Sequence, residues 1–288
     1  MKRAPEPAAS AGVSSATAHE RADEREEFLP GTGGTWLTAL LPAGFLLLLV
    51  VIWELAANYT NVPEYILPAP TSIVSRMFHS WGVLSNATWV TTTEILIGFG
   101  VGVALGIALA IPIAYSNVVR NTLYPLIVAS QAVPKIAVAP LLVLWLGFDL
   151  TPKVVVTALM VFFPVTVTAA EGLSSVDPSL LDLLKSVNAS RAQIFFRVRF
   201  PHALPQIFAG LKIGITLAVV GAVVGEWVGA DSGLGYLLVY ANTLLDSTLL
   251  FAALLLLIAL GVVLFLIVGL LERVLLPWHR ERGAYLGT

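Results

Sequence analysis

The sequence predicts an all-α, polytopic membrane protein with about six transmembrane helices, and three observations carry that prediction. Of its 288 residues 57% are hydrophobic and 12% charged, with a mean hydropathy of +0.87; a soluble domain is nearer ~45–50% apolar. Apolar stretches recur at about the 20 residues needed to cross a hydrocarbon core. A single long polar island, residues 171–205, separates two of them. There is no cysteine, which excludes disulfides, zinc–thiolate sites and thiol nucleophiles. The net charge of −2 carries little meaning until the charges are placed along the chain.

Residues 1–34 are rich in Ala, Ser, Pro, Glu and Arg and lack the apolar core of a signal peptide. With so little apolar surface to bury, they are expected to form a disordered tail on the cytoplasmic side. Spans are expected at 36–58, 88–115, 122–146, 152–172, 204–228 and 248–275. The third is interrupted by Pro125, Pro134 and Pro140. Such breaks survive in lipid only where protein or a polar cavity satisfies the freed carbonyls. Between the first two spans, residues 68–84 read as a short amphipathic helix lying at the interface and entered through Thr71 or Ser72. This divides the chain into a tail (1–34), a first span with its interfacial segment (35–87), a core (88–276) that includes the loop 172–203, and a cytoplasmic tail (277–288).

Lys and Arg of the short loops set the orientation. An inside N-terminus puts Lys2, Arg3, Arg21, Arg25, Arg120, Lys185, Arg191, Arg197, Arg199, Arg280 and Arg282 on the cytoplasmic side and leaves only Arg76 and Lys153 outside. Six spans then return the C-terminus to the cytoplasm, and the 171–205 island faces the cytoplasm as well.

That island reads as two short helices around a tight turn. Asp177 before Pro178 makes an N-cap and first-turn pair, since proline gives up a donor that was unpaired anyway. Leu180, Leu181, Leu183, Leu184 and Val187 form an apolar face that must bury against something. Asn188 stands where the first helix should stop, the second choice after glycine for a left-handed terminal residue. Ser190 and Gln193 form a capping box for the second helix, expected to end at Pro201. An ordinary interfacial loop whose arginines meet anionic headgroups is the plainer reading of the charges alone.

Asp182, Leu183, Leu184, Asn188, Val198, Phe200 and Pro201 fall at the spacing of E-A-A-x3-G-x9-I-x-L-P. In that spacing the island resembles the coupling loop of the membrane subunits of binding-protein-dependent ABC importers. Asp182 replaces Glu, Leu183 and Leu184 the alanines, Asn188 the glycine, Val198 the isoleucine and Phe200 the leucine. The resemblance extends over residues 60–275, through 91–114, 131–165 and 203–238. Within the family it is similar to the permeases for nitrate, taurine, aliphatic sulfonates and thiamine-precursor pyrimidines.

Several expectations follow from the resemblance. This chain would be an inner-membrane permease subunit, paired with a second copy of itself, with two ATP-binding cassette subunits inside and a substrate-binding protein outside. ATP and magnesium would be bound by those partner subunits, and this chain would hold no cofactor. Asp182, Leu183, Leu184, Asn188, Ala189, Ser190, Arg191 and Pro201 would form the ATPase-coupling surface. The cargo favoured is a small organic anion such as a sulfonate or taurine, or nitrate, with a pyrimidine-type vitamin precursor or other aromatic compound as the alternative.

The remaining candidates come from the residues themselves. Gly98, Gly102, Gly106 and Ala110, and Gly210, Gly214, Ala218 and Ala222, recur every four residues, which lets helix backbones approach closely; whether the stripes serve a dimer or one bundle is open at this point. Ionisable groups at membrane depth are few: Glu94, Lys135 and Glu226. Each is expensive there and should face a cavity or pair with a partner. Lys135, read as the only central cation, either attracts an anionic substrate or neutralises Glu94 or Glu226, the internal role being favoured. Gln131 and Trp145 join Glu94, Lys135 and Glu226 as candidate path residues, although a Trp near a span end is more often an interfacial anchor.

Enzyme signatures are missing. The sequence contains no G-x-x-x-x-G-K-[ST], H-E-x-x-H or G-x-S-x-G, and the four histidines have no metal-ligand spacing. GADSGLG (229–235) is read as a turn and not as a phosphate loop, because it lacks a strand-to-helix context. Nothing points to nucleic acid. A secondary transporter or channel without an ATPase is the competing class; it should show inverted repeats, and none is visible.

Overall fold

The computed structural model describes residues 35–60 and 62–277, so most of the two expected tails lies outside the described residues. Among them no strand occurs. The helices are α1 (Thr35–Tyr59), α2 (Pro70–His79), α3 (Trp81–Tyr115), α4 (Asn117–Ser130), α5 (Lys135–Leu146) and α6 (Leu150–Ser174). Then come α7 (Pro178–Ser186), α8 (Arg191–Ile194) with a π turn at Phe195–Arg199, α9 (Phe200–Gly229), α10 (Leu234–Thr243) and α11 (Ser247–Leu275). The chain divides into two compact units, one ending at Ala56 and the other beginning at Ala57.

Five of the described helices are long and apolar enough to cross a membrane, and six spans result if the α4–α5 pair counts as one. That pair is the proline-rich third span, and it bends by 93° between Ser130 and Lys135. The break is locally satisfied: the N–H groups of Gln131, Ala132 and Val133 donate to Val128, Ala129 and Ser130 in short turns, which recover carbonyls left over at the end of α4.

Helix α6 lies between α3 and α9 and is the most enclosed element, with Val156, Val161, Val165 and Ala169 almost without exposure. Lipid tails are as apolar as leucine, so close backbone approach has to hold such helices together. Both small-residue stripes face α6. A Cβ on Gly102 would fall 2.7 Å from the Ala158 carbonyl oxygen and one on Gly106 3.0 Å from Val165, while Gly98 abuts Thr157. From the other side Gly210 abuts Thr168 and Gly214 abuts Val161, where a Cβ would stand at 3.2 Å. The result is a slab, α3–α6–α9, held by contacts within one chain.

Several boundaries differ from the sequence reading: α3 begins at Trp81 and not at 88, inside the 68–84 stretch read as interfacial. Helix α2 begins at Pro70 behind Ala69, with no side-chain cap from Thr71 or Ser72; the fixed φ of proline starts it instead. Helix α6 begins at Leu150, which draws Lys153 out of the expected external loop and into its first turn. Pro201 does not end a helix: α8, the π turn and α9 form one continuous helical run of 39 residues. Phe200 N–H bonds back to Phe195, five residues earlier. The wider turn accommodates a residue that has no N–H and whose ring crowds the preceding carbonyls.

Candidate coupling and translocation sites

The 171–205 segment folds as a knob whose geometry is fixed by its caps. The Asp177 carboxylate accepts from Ser179 N–H at 2.8 Å. At the other end of α7, Asn188 takes φ 57°, and the N–H groups of Asn188 and Ala189 donate to Lys185 and Leu184, both at 3.0 Å. This pair of bonds closes a Schellman motif, using carbonyls α7 cannot use internally. Ser190 and Gln193 then make both bonds of a capping box, at 3.2 and 2.8 Å. Two helices pinned this way around a two-residue turn cannot pivot freely.

The apolar face of α7 stays uncovered within the chain. No residue of α7 is buried, and Leu183 and Val187 are 61% and 67% exposed. Beside them Asp182 and Lys185 pair at 2.8 Å, both well exposed, and Arg191 and Arg197 reach outward. Arg199 behaves differently. Its Nη1 donates to the carbonyls of Ala114 (3.3 Å) and Leu173 (3.2 Å), and its guanidinium lies 4.6 Å over the Tyr115 ring. In the sequence it passes for one more loop arginine. Its place just before Pro201 was the available signal, since a long side chain there can reach back to the helix ends behind it.

The membrane-depth ionisable groups form two linked arrangements. Lys153, not Lys135, pairs with Glu94: Nζ donates to Oε1 at 2.9 Å, and both residues are almost wholly enclosed. This corrects the expectation that Lys135 is the only central cation and the neutraliser of a membrane carboxylate. Lys135 lies 4.8 Å over the Phe163 ring instead. An expected start at 152 left Lys153 at the outer edge of its span; with the helix starting at Leu150, Lys153 lies in its first turn and its ammonium reaches Glu94 on α3. Glu226, next to Glu94, closes the start of α10. Its Oε1 accepts from the Thr91 hydroxyl at 2.6 Å, and its Oε2 accepts from the N–H groups of Gly235 (2.5 Å) and Tyr236 (3.2 Å). Thr91 Oγ1 in turn accepts from Leu234 N–H at 2.8 Å. A carboxylate at a helix N-terminus satisfies orphan donors and suits the positive end of the dipole.

The GADSGLG stretch is therefore a turn wrapped on a carboxylate. Gly233 holds φ 113°, and a Cβ there would run into the Glu226 carboxyl group. Of the other path candidates, Gln131 and Lys135 stand on either side of the α4–α5 break, and Trp145 is 69% exposed near the end of α5. The path candidates thus separate into an enclosed group, Glu94 and Glu226, and a group along α4–α5, Gln131, Lys135 and Trp145. No group of three or more His, Cys, Asp or Glu that could hold a metal occurs among the described residues.

A family model described as "binding-protein-dependent transport system inner membrane component" matches residues 102–276, more than half of the chain. The chain belongs to that family. It is the multi-pass permease subunit of an ABC importer. The formylaminopyrimidine transport permease protein ThiX of Halalkalibacterium halodurans is 40% identical over 245 residues, covering 85% of this chain and 98% of that protein. The taurine transport system permease protein TauC of Escherichia coli is 30% identical over 248 residues, covering 84% and 90%. A solved structure of the MetNI methionine ABC transporter shares the fold with TM-score 0.59 at 18% identity, covering 68% of this chain and 97% of that one. Membership implies ATPase and binding-protein partners for this permease.

Proposed function

We propose that residues 178–200 are the surface on which an ATPase subunit docks and through which it moves the spans. The observation that carries this reading is an apolar helix face, Leu180, Leu183 and Val187, left exposed on a knob that is capped at every end. Exposed apolar surface on a rigid, cation-flanked protrusion fits a protein groove better than a layer of headgroups. Asp182, Leu184, Asn188, Ala189, Ser190 and Arg191 shape that face, and Pro201 sits at its junction with α9. In this reading ATP and magnesium are held, and ATP is hydrolysed, by two partner ATPase subunits. A second copy of this chain completes the path, and a binding protein delivers the cargo on the far side.

The cytoplasmic placement of the knob and of both termini rests on the positive-inside rule. With Lys153 buried against Glu94, the outer short loops keep Arg76 alone, and Arg76 pairs with Asp246 at 2.6 Å. The bias toward inside cations is sharper than sequence counting made it.

For the cargo we favour a pyrimidine-type heterocycle. It is supported by the 40% identity to the formylaminopyrimidine permease and by the pairing of Lys153, which withdraws a fixed positive charge that a small anion would use. A sulfonate is the second reading, supported by the taurine relative and by Lys135 at the α4–α5 break. Leu183→Glu with Val187→Glu tests the docking surface: insertion and folding should persist while ATP-driven uptake and ATPase co-purification collapse. Unchanged uptake and unchanged co-purification would sink the assignment.

A further inference from the structure

The knob joins the bundle through its weakest piece of backbone. At the π turn, Phe195–Arg199, hydrogen bonds are re-registered, and Pro201 just beyond has no N–H to contribute. Bending concentrates at such joints. On one side the knob and the bundle do not close up: a cavity of about 160 Å³ lies among Tyr115, Leu181, Lys185, Arg191, Ile194 and Arg199. A push on the knob that reached only this joint would flex it and leave α3 and α6 behind.

Arg199 bridges that gap. Its two carbonyl partners belong to different spans, Ala114 to the last turn of α3 and Leu173 to the last turn of α6. Both carbonyls sit at the negative ends of helix dipoles, where a cation is stabilised. The Tyr115 ring, itself 6.2 Å from Phe195, supports the guanidinium from below. The α3–α6–α9 slab then runs, glycine-packed, to the other end of the bundle, where Glu94–Lys153 joins α3 to α6 and where Thr91 and Glu226 accept the N–H groups of Leu234, Gly235 and Tyr236 that open α10 behind the 230–234 loop.

We infer that Arg199 is the positioning residue that makes the knob and the α3–α6–α9 slab move as one body, so that displacement at 178–200 arrives at the 230–234 loop. This rests on the coupling reading above. Planar geometry matters here: one guanidinium reaches two carbonyls and stacks on a ring, which a lysine ammonium does only in part.

The test uses the full complex with its ATPase subunits in proteoliposomes. The native chain has no cysteine, so spin labels go only where cysteine is introduced. A pair at Ser186→Cys and Val118→Cys reports the distance from the knob to the inner end of the bundle. A single label at Ser232→Cys reports the far loop. With Mg-ATP added, the parent should keep the 118–186 distance constant and change the mobility of the 232 label. In Arg199→Gln the 118–186 distance should shift with ATP and the response at 232 should fall about tenfold, as expected for losing a charged hydrogen-bond donor. Arg199→Lys should fall between. Arg199→Gln responding like the parent at both places, with ATPase subunits still bound, overturns the role of Arg199. A parent that binds no ATPase or shows no ATP response refutes the coupling reading instead.

Discussion

Replacing Lys153 by Met should destabilise this permease more than any surface change. Lys153 and Glu94 are 5% and 1% exposed and meet at 2.9 Å, and the Glu226 carboxyl group stands beside Glu94. Met preserves the length of the side chain and most of its packing, so the loss isolates the charge. Removing one partner of such a pair strands the other, at a cost of about 3–5 kcal/mol. Glu226 makes matters worse, because it adjoins Glu94 and keeps its own donors. The companion variant Glu94→Gln with Lys153→Met removes both charges and should recover most of the loss, since replacing a whole buried pair is often close to neutral. Thermal unfolding of the detergent-purified chain, followed by fluorescence-detected size exclusion, reads both variants and the parent. The double variant should melt well above Lys153→Met. If Lys153→Met melts with the parent, or if the double variant melts no higher than the single, the pair is not the internal neutraliser inferred here.

Gly221→Ala would place a methyl 2.8 Å from the Thr157 Cα, against backbone that cannot swing aside, and should cost about 1–3 kcal/mol; Gly261→Ala, with its nearest neighbour at 3.7 Å, should leave the same melting curve unmoved. Asn188→Val should cost about 1–2 kcal/mol at its left-handed φ of 57°, seen as faster amide exchange at Ala189, whereas Asn188→Gly should not. Burial works to raise the Asp246 carboxyl, but the Thr248 hydroxyl, the Leu249 N–H and Arg76 outweigh it and hold it below its ordinary 3.8. Its stabilising contribution is therefore present above about that pH and is lost as pH falls through the lower folded-state value. Asp246→Asn should melt lower than the parent at neutral pH, with the gap closing in acid.

Much of the local structure was legible because it depends on neighbours in the chain. Asp177–Pro178, Asn188 and Ser190–Gln193 each act within a few residues, and the knob they define is the one observed. The proline-broken third span was equally readable, since proline removes a donor wherever it stands. What failed was the pairing of charges. Glu94, Lys153 and Glu226 are far apart in sequence and meet only because α6 starts at Leu150 and the glycine faces of α3 and α9 close on it.

Composition, apolar length and loop charge by themselves determined that this chain is a multi-span helical membrane protein, and the spacing across 182–201 pointed to its family. These are properties of one segment at a time, set by what lipid demands of each stretch of backbone. Tertiary structure alone decided that the glycine stripes close a slab within one chain, that Lys153 rather than Lys135 neutralises Glu94, and that Arg199 ties the knob to two other helix ends. The physical reason is reach. A side chain of a few ångströms finds a partner only after the helices have packed, and how they pack depends on every contact across the slab at once.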